Sequence, residues 1–283
     1  MRTRPMTFCV TCALFLVGLC GLSVLPAKAV DPTEIVLLGT IHGSHQQNAR
    51  YSLDILRDLI VRLKPAAILV ELPPTISGQL TVEDQRIIKS LAVNENKSAN
   101  AAAGLLQIPV IPYDREGRNE FYEQTKYFDR QAQLSRRIDS WLDSAANRTA
   151  APAETAVLGP LSEDASRSQQ YFDLNASPEI INSEGYDRLI RLKHFLFRKL
   201  MPELSTRVES LRDLAPEFAF FRDEWNERNR IMAENIVKQG SRYSGRRLVV
   251  LCGSEHRYVL RDLLSTQRDL LLKEFYEAVP ARP

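Results

Sequence analysis

Residues 35–42 read IVLLGTIH, and residues 248–256 read LVVLCGSEH. Each stretch is a short apolar run followed by the pattern Gly-x-x-His. Runs of this length that are rich in Val, Ile and Leu are typical of buried strands in a parallel or mixed sheet. Because glycine lets the chain turn sharply off a strand end, each stretch would place a histidine, His42 or His256, at the carboxyl edge of the sheet. Two distant parts of the chain are therefore predicted to bring two imidazoles into one crevice.

The first run begins a predicted β-α-β unit. Residues 51–64 carry apolar side chains at helical spacing, and this helix is predicted to stop at Pro65. The next apolar run, 67–70, predicts a second strand that ends at Glu71. A third strand is predicted over 108–111, where Pro109 favours either an edge position or the first residue of the strand.

The rest of the chain is mainly helical in pattern. Helices are predicted over 82–93, 120–146, 178–200, 203–214, 218–238 and 257–278. The Ala/Pro/Ser-rich stretch 147–168 is predicted to be a loop. We predict an α/β fold with a mixed or mostly parallel sheet flanked by helices, and a helical insertion over about 120–215 before the last strand. Residues 30–283 are expected to form a single domain.

The N-terminal residues have the pattern of a secretory signal peptide. A basic start, an apolar stretch and a small-x-small site predict a signal over residues 1–29, with cleavage after Ala29. An uncleaved membrane anchor is the alternative, since the apolar stretch is long enough to span a bilayer. The protein is therefore expected in the periplasm or outside the cell, without a membrane association after cleavage.

The formal net charge and the cysteine count exclude several classes of function. The predicted signal contains three basic residues and no acid, so its removal changes the formal net charge from +2 to −1. The sequence does not show the basic face that nucleic-acid-binding proteins have, so we expect no nucleic-acid partner. The remaining chain keeps one cysteine, Cys252, which excludes an intramolecular disulfide and a zinc site of the cysteine-cluster type. We expect Cys252 to be a small buried hydrophobe.

Polar residues stand at the predicted strand ends. His42, Glu71, Asp114 and His256 would share one rim if the strands are parallel. Two imidazoles and a carboxylate are a common ligand set for a divalent metal with open positions. Alternatively, Glu71 or Asp114 could act as a general base. Arg228, on the helix before the last predicted strand, could stabilise an oxyanion or hold a substrate carboxylate.

Three further polar residues lie outside the predicted strand ends. Asn229 could hydrogen-bond a ligand or a neighbouring loop. His45 is a possible second ligand from the first loop, although loop histidines are more often exposed. His194 lies in a Lys/Arg-rich helix and is expected on the surface.

Five motifs together resemble the TraB/PrgY/GumN/Tiki superfamily, which is related to erythromycin esterase and to the ChaN haem-binding proteins. The matching stretches are LGTIH at 38–42, ILVELP at 68–73, IPYD at 111–114, ERNRIMA at 227–233 and VLCGSEH at 250–256. They come in the order of that family. The resemblance covers the two ends of the chain after the predicted signal and leaves most of the helical insertion unmatched.

The resemblance implies a function for these residues. It places both Gly-x-x-His loops and the glutamate at one cleft and, for Tiki-like members, implies a metal-dependent peptidase, with manganese or cobalt. His42, Glu71 and His256 would form its central set, with Arg228 and Asn229 in support.

The leading hypothesis is a secreted hydrolase in which His42, Glu71 and His256 hold Mn, Co or Zn against a peptide or small ester substrate. One alternative is a metal-independent, erythromycin-esterase-like hydrolase with a histidine or Glu71 as general base. Another is a periplasmic haem- or metal-binding protein without turnover, and a third is an inactive relative whose insertion binds a partner. The sequence does not fix the oligomeric state.

Overall fold

The computed structural model describes residues 31–74, 94–144 and 153–278. The predicted signal peptide and the helix predicted over 82–93 lie outside these residues. Within the described ranges, we find no helix with the length and hydrophobicity needed to cross a bilayer.

Five parallel strands form one sheet. They are β1 (Thr33–Thr40), β2 (Ala67–Val70), β3 (Val110–Pro112), β4 (Arg247–Gly253) and β5 (Leu270–Lys273). Their order is β3-β2-β4-β1-β5, and every pair is parallel. This confirms the α/β prediction with a sheet that is parallel throughout. Of the two alternatives that Pro109 favoured for the third strand, the edge position is confirmed, since β3 has a single neighbour.

Helices make up 67% of the structure. They are α1 (Leu53–Leu63), α2 (Glu95–Leu106), α3 (Arg118–Gln124), α4 (Tyr127–Asp143), α5 (Ala153–Asn175), α6 (Pro178–Ile181), α7 (Glu184–Phe195), α8 (Met201–Arg207), α9 (Ala215–Gly240), α10 (Ser254–Leu264) and α11 (Phe275–Ala278). A 3-10 turn covers His42–Gln46, a π-helical turn covers Leu196–Leu200 and a second 3-10 turn covers Glu209–Leu214.

Two predicted elements were wrong. The loop predicted over 147–168 is helical from Ala153 onward, although Pro160 lies inside α5 and removes a hydrogen bond. Packing favours the helix there, because Leu158 joins the same apolar cluster as Trp141. The single helix predicted over 257–278 is interrupted by β5, which completes the sheet beside β1. Its three leucines fit a helix or a strand equally well, and pairing with β1 selects the strand.

The sheet has a core on each face because strand side chains alternate. Val36, Leu38, Val249 and Leu251 pack on one face with apolar residues of α1 and α2. Ile35, Leu37, Leu248 and Val250 pack on the other face with residues of α9 and α10. The helices that follow β1 and β4 therefore lie on opposite sides of these two neighbouring strands.

The helices between β3 and β4 have an apolar cluster of their own. It includes Leu134 and Ile138 of α4, Leu204 of α8 and Phe218 of α9. This cluster packs together the helices of the insertion that lie next to the carboxyl edge of the sheet.

Candidate functional site

The carboxyl ends of the strands meet at one edge. Thr40 of β1 is in register with Gly253 of β4, and Val70 of β2 is in register with Pro112 of β3. Since α1 and α10 leave β1 and β4 on opposite faces, a crevice opens between these strand ends, as in other open α/β sheets. A cleft of about 610 Å³ lies there, and its walls include His42, Glu71, Tyr122, Trp225, Arg228 and His256.

Glu71 lies at the centre of this cleft, directly after β2. Its Oε2 accepts the Gly253 backbone N–H at 2.7 Å, and its Oε1 accepts Arg228 Nη2 at 2.6 Å. His256 Nε2 lies 3.6 Å from the same Oε1. Burial opposes ionisation of this carboxyl, but the neighbouring His256, Arg228 and His42 outweigh it and lower the pKa of Glu71 to about 2. The group is therefore a fixed carboxylate at neutral pH.

Arg228, on α9, connects the two predicted carboxylates. Its Nε and Nη2 donate to the Asp114 oxygens at 3.0 and 2.8 Å, and Nη1 lies 3.2 Å from His256 Nε2. Asp114 is fully buried and also accepts a hydrogen bond from Arg118. Burial raises the pKa of Asp114, but Arg228 and Arg118 outweigh it and hold the pKa well below its ordinary value. Each guanidinium nitrogen of Arg228 thus has a partner within the protein.

His256 lies in the first turn of α10 and is 5% exposed. Its Nδ1 donates to Asn229 Oδ1 at 2.7 Å, and the amide orientation is fixed because Asn229 Nδ2 donates to Trp225 O. This leaves Nε2 as an acceptor for Arg228. The ring also stacks on Trp225, with centroids 4.3 Å apart. Burial lowers the pKa of His256 to about 3, so the imidazole is neutral.

His42 has a different environment. It begins the 3-10 turn after β1 with φ at 46°, a left-handed conformation that is strained for a histidine. Its side chain is 58% exposed, and Nδ1 donates to Glu95 Oε1 at 2.8 Å. The Glu95 carboxylate raises the pKa of His42 to about 10, so the imidazole is protonated at neutral pH. The Glu95 carboxylate is buried, and its Oε2 has no partner among the described residues, so His42 is the group that compensates this buried charge.

Gly253 allows the two loops to approach each other. A Cβ at this position would lie 2.5 Å from His42 Nε2 and 3.4 Å from Glu71 Oε2. The backbone of Gly253 has φ at −50°, which any residue can adopt. Space for the His42 ring, and not the sharp turn predicted from the sequence, is what requires glycine here. His42, Glu71 and His256 are thus brought together at one place, as predicted.

His45 does not face the cleft. It is buried, its Nδ1 donates to Tyr51 O at 2.5 Å, and its Nε2 accepts the Ile41 N–H at 3.2 Å. Both ring nitrogens are used to hold the loop that carries His42.

His194 was wrongly predicted on the surface, because it is 4% exposed and bonds Tyr258 through Nδ1 at 2.9 Å. The basic residues around it on α7 suggested a solvated helix, but this side chain faces the protein. Cys252 is fully buried, and its predicted role as a small hydrophobe is confirmed.

The predicted metal ligands do not form a metal site in this arrangement. Among the described residues, no group of three His, Cys, Asp or Glu side chains is placed to hold an ion. The guanidinium of Arg228 lies between Glu71 and His256, where a cation would have to sit, and the second Glu71 oxygen is taken by Gly253. The metal stays a prediction that requires Arg228 to move.

Comparison with models of protein families, with curated proteins and with solved structures finds no match to this chain. The family resemblance therefore stays an expectation from the five motifs.

Two contributors to the site were missed from the sequence. Glu95 begins α2 in a polar stretch, and nothing in its spacing relates it to His42. Trp225 lies on α9 three residues before Arg228, so it belongs to the same helical face, and this spacing was the available signal.

Proposed function

We propose that this chain is a hydrolase and that the neutral form of His42, paired with Glu95, is its general base, so that its rate of hydrolysis rises with pH toward the raised pKa of His42. The observation that supports this is the single carboxylate-paired, solvent-accessible imidazole that the described residues place at a cleft built on strand ends. A carboxylate that holds Nδ1–H fixes the tautomer, so Nε2 is the atom that exchanges a proton in the cleft.

The reaction follows from that arrangement. In the fraction of molecules in which His42 is neutral, a fraction that grows toward alkaline pH, Nε2 takes a proton from water as the water oxygen bonds to the carbonyl carbon of an amide or ester. The carbon–nitrogen or carbon–oxygen bond then breaks, and the imidazolium returns the proton to the leaving amine or alcohol. The products are a carboxylic acid and an amine or alcohol, and no further reactant is needed.

The other residues hold the floor of the cleft. Glu71, Arg228, Asp114, Asn229 and His256 form a continuous hydrogen-bonded set in which both carboxylates and the neutral imidazole have partners. We assign these five residues a positioning role, because their polar atoms are hydrogen-bonded to one another.

The test is hydrolysis of a panel of N-acyl amino acids, short peptides, aryl esters and peptidyl anilides by the full chain after chelation, at neutral and at alkaline pH. We expect activity in the chelated protein, and a loss of about 100- to 1,000-fold on His42→Ala. Glu184→Gln, a substitution at an exposed acid outside the cleft, is the control and should leave the rate unchanged. Absence of turnover across the panel, or an unaffected His42→Ala variant, would contradict the proposal.

The metal-dependent hydrolase is a second candidate. The observation that favours it is the His256 tautomer, since Nδ1–H is held by Asn229 and the unprotonated Nε2, which Arg228 bonds in this arrangement, is the nitrogen that would bind a metal, as in metal-bound histidines. Activity that disappears on chelation and returns with Mn²⁺, Co²⁺ or Zn²⁺ would favour it over the metal-free version. A Soret shift in a haem titration would instead favour the alternative of a haem-binding protein without turnover.

The periplasmic or secreted location remains a prediction from residues 1–29.

A further inference from the structure

Arg198 lies in the wall of the same cleft but outside the hydrogen-bonded floor. It belongs to the π-helical turn after α7, and it lines both the cleft and an adjoining cavity of about 250 Å³. Its guanidinium carbon lies 3.9 Å from the ring centroid of Trp225, the residue that also stacks on His256. The Trp225 side chain is thus in contact with both the Arg198 guanidinium and the His256 ring.

Arg198 differs from the other arginines of the cleft. Arg118 is ion-paired with Asp114, and Arg228 is ion-paired with both Asp114 and Glu71. Within the part of the chain that the structure describes, no carboxylate lies within 4.0 Å of Arg198. Its one hydrogen bond there goes from Nη1 to Phe221 O at 3.3 Å, and its buried Nε has no partner.

Burying an unpaired cation in such a position costs free energy, and an anionic ligand that pairs with the cation would remove this cost. Burial lowers the pKa of Arg198, and Tyr127 and the Glu255 carboxylate oppose this effect only in part. The acid on the same wall, Glu255, is already bound by Lys193 Nζ at 2.6 Å and by Gln169 Nε2 at 3.1 Å. The planar guanidinium matches a carboxylate, which it can bind through two parallel hydrogen bonds.

The adjoining cavity indicates what accompanies the carboxylate. Its walls include the apolar side chains Leu134, Ile138, Phe218 and Phe221. A cavity of this size suits one apolar side chain and not a long ligand. A group that combines a carboxylate with one adjacent apolar side chain is the C-terminal residue of a peptide.

We propose that Arg198 is a specificity-determining residue that binds the free carboxylate of substrates ending in an apolar residue, whose side chain occupies the adjoining cavity. The substrate class is therefore short peptides or N-acyl amino acids. This rests on the proposed hydrolase for the use of the site, but the binding itself does not require turnover.

The experiment measures binding of N-acetylphenylalanine and of its C-terminal amide to the full chain by calorimetry. We expect the acid to bind about tenfold more tightly than the amide, because the amide cannot form the charge-assisted hydrogen bonds that a carboxylate forms with the guanidinium. Arg198→Gln should abolish this preference, Arg198→Lys should retain part of it, and N-acetylglycine should bind more weakly than N-acetylphenylalanine. Arg188→Gln, at an exposed arginine paired with Glu184, makes the same change of charge and should keep the preference.

Several outcomes would overturn the proposal. They are no binding of either compound, equal binding of acid and amide to the unaltered chain, an unchanged preference in Arg198→Gln, and tighter binding of inorganic phosphate than of N-acetylphenylalanine. Thermal unfolding identifies a variant that fails to fold, and the lysine variant then carries the comparison. A carboxylate preference without hydrolysis of any substrate would reject the hydrolase and leave this proposal standing.

Discussion

The two Gly-x-x-His loops have the same sequence pattern and opposite chemistry. His42 is mostly exposed, adopts a left-handed backbone conformation and is paired with a carboxylate that favours its protonated form. His256 is buried at the start of a helix, stacked on an indole and kept neutral. The pattern determines where each imidazole lies, whereas partners from unrelated helices determine its protonation. Environments that push two pKa values apart are typical of acid–base sites.

The largest expected effect concerns the floor on the His256 side. Arg228→Gln leaves the buried carboxylates Asp114 and Glu71 without their shared cation. We expect the free energy of unfolding to fall by about 3–5 kcal/mol in urea titrations. Arg230→Gln makes the same change two residues away on an exposed face and should cost less than about 0.5 kcal/mol. Equal losses in the two variants would show that the floor is not held by Arg228.

The second prediction compares the histidines directly. His42→Asn, whose amide N–H can still bond the buried Glu95, should lower the rate of hydrolysis by about 100- to 1,000-fold and change the unfolding free energy little, since the side chain is exposed. His256→Ala should lower the unfolding free energy by about 1–3 kcal/mol, because it leaves a buried gap and unpairs Asn229. Urea unfolding and rate measurements on both variants test this, and a reversal of the two effects would exchange the assigned roles.

The third prediction sharpens the difference in protonation. Removing the Glu95 charge lowers the pKa of His42, so Glu95→Gln should move its titration to lower pH by about one to three units. His256 should remain neutral between pH 5 and 9 in both proteins, because its pKa lies near 3. NMR titration of the ring protons measures each histidine separately. Movement of the His256 ring-proton signals between pH 5 and 9 would contradict a buried His256 that stays neutral.

The smallest effect is expected where the two loops touch. Gly253→Ala would place a methyl group 2.5 Å from His42 Nε2, so the ring must turn away. Because the ring is the free end of an exposed side chain, stability should change little while the rate falls by about tenfold. Gly43→Ala is the matched control, since an added Cβ meets nothing within 4 Å there. An unchanged rate in Gly253→Ala would separate His42 from the reaction.

Much of this site could be predicted because strand ends are marked in the sequence. Apolar runs ended by polar residues locate His42, Glu71 and His256, and a parallel sheet places their ends on one edge. Glu95 and Arg198 could not be found in this way, because each comes from a helix whose position depends on tertiary packing. His194 was missed for the same reason, since a basic helix gives no sign of which face it buries.

The pairing of β1 with β4 has a consequence for synthesis of the chain. Thr40 and Cys252, bonded through Thr40 Oγ1, are separated by 212 positions, and β4 lies between β1 and β2 in the sheet. Such a non-local centre cannot assemble until the ribosome has produced the chain as far as β4. Strand β1 therefore stays unpaired with β4 while the residues between them are translated, and a chaperone that shields this segment would raise the yield of folded protein.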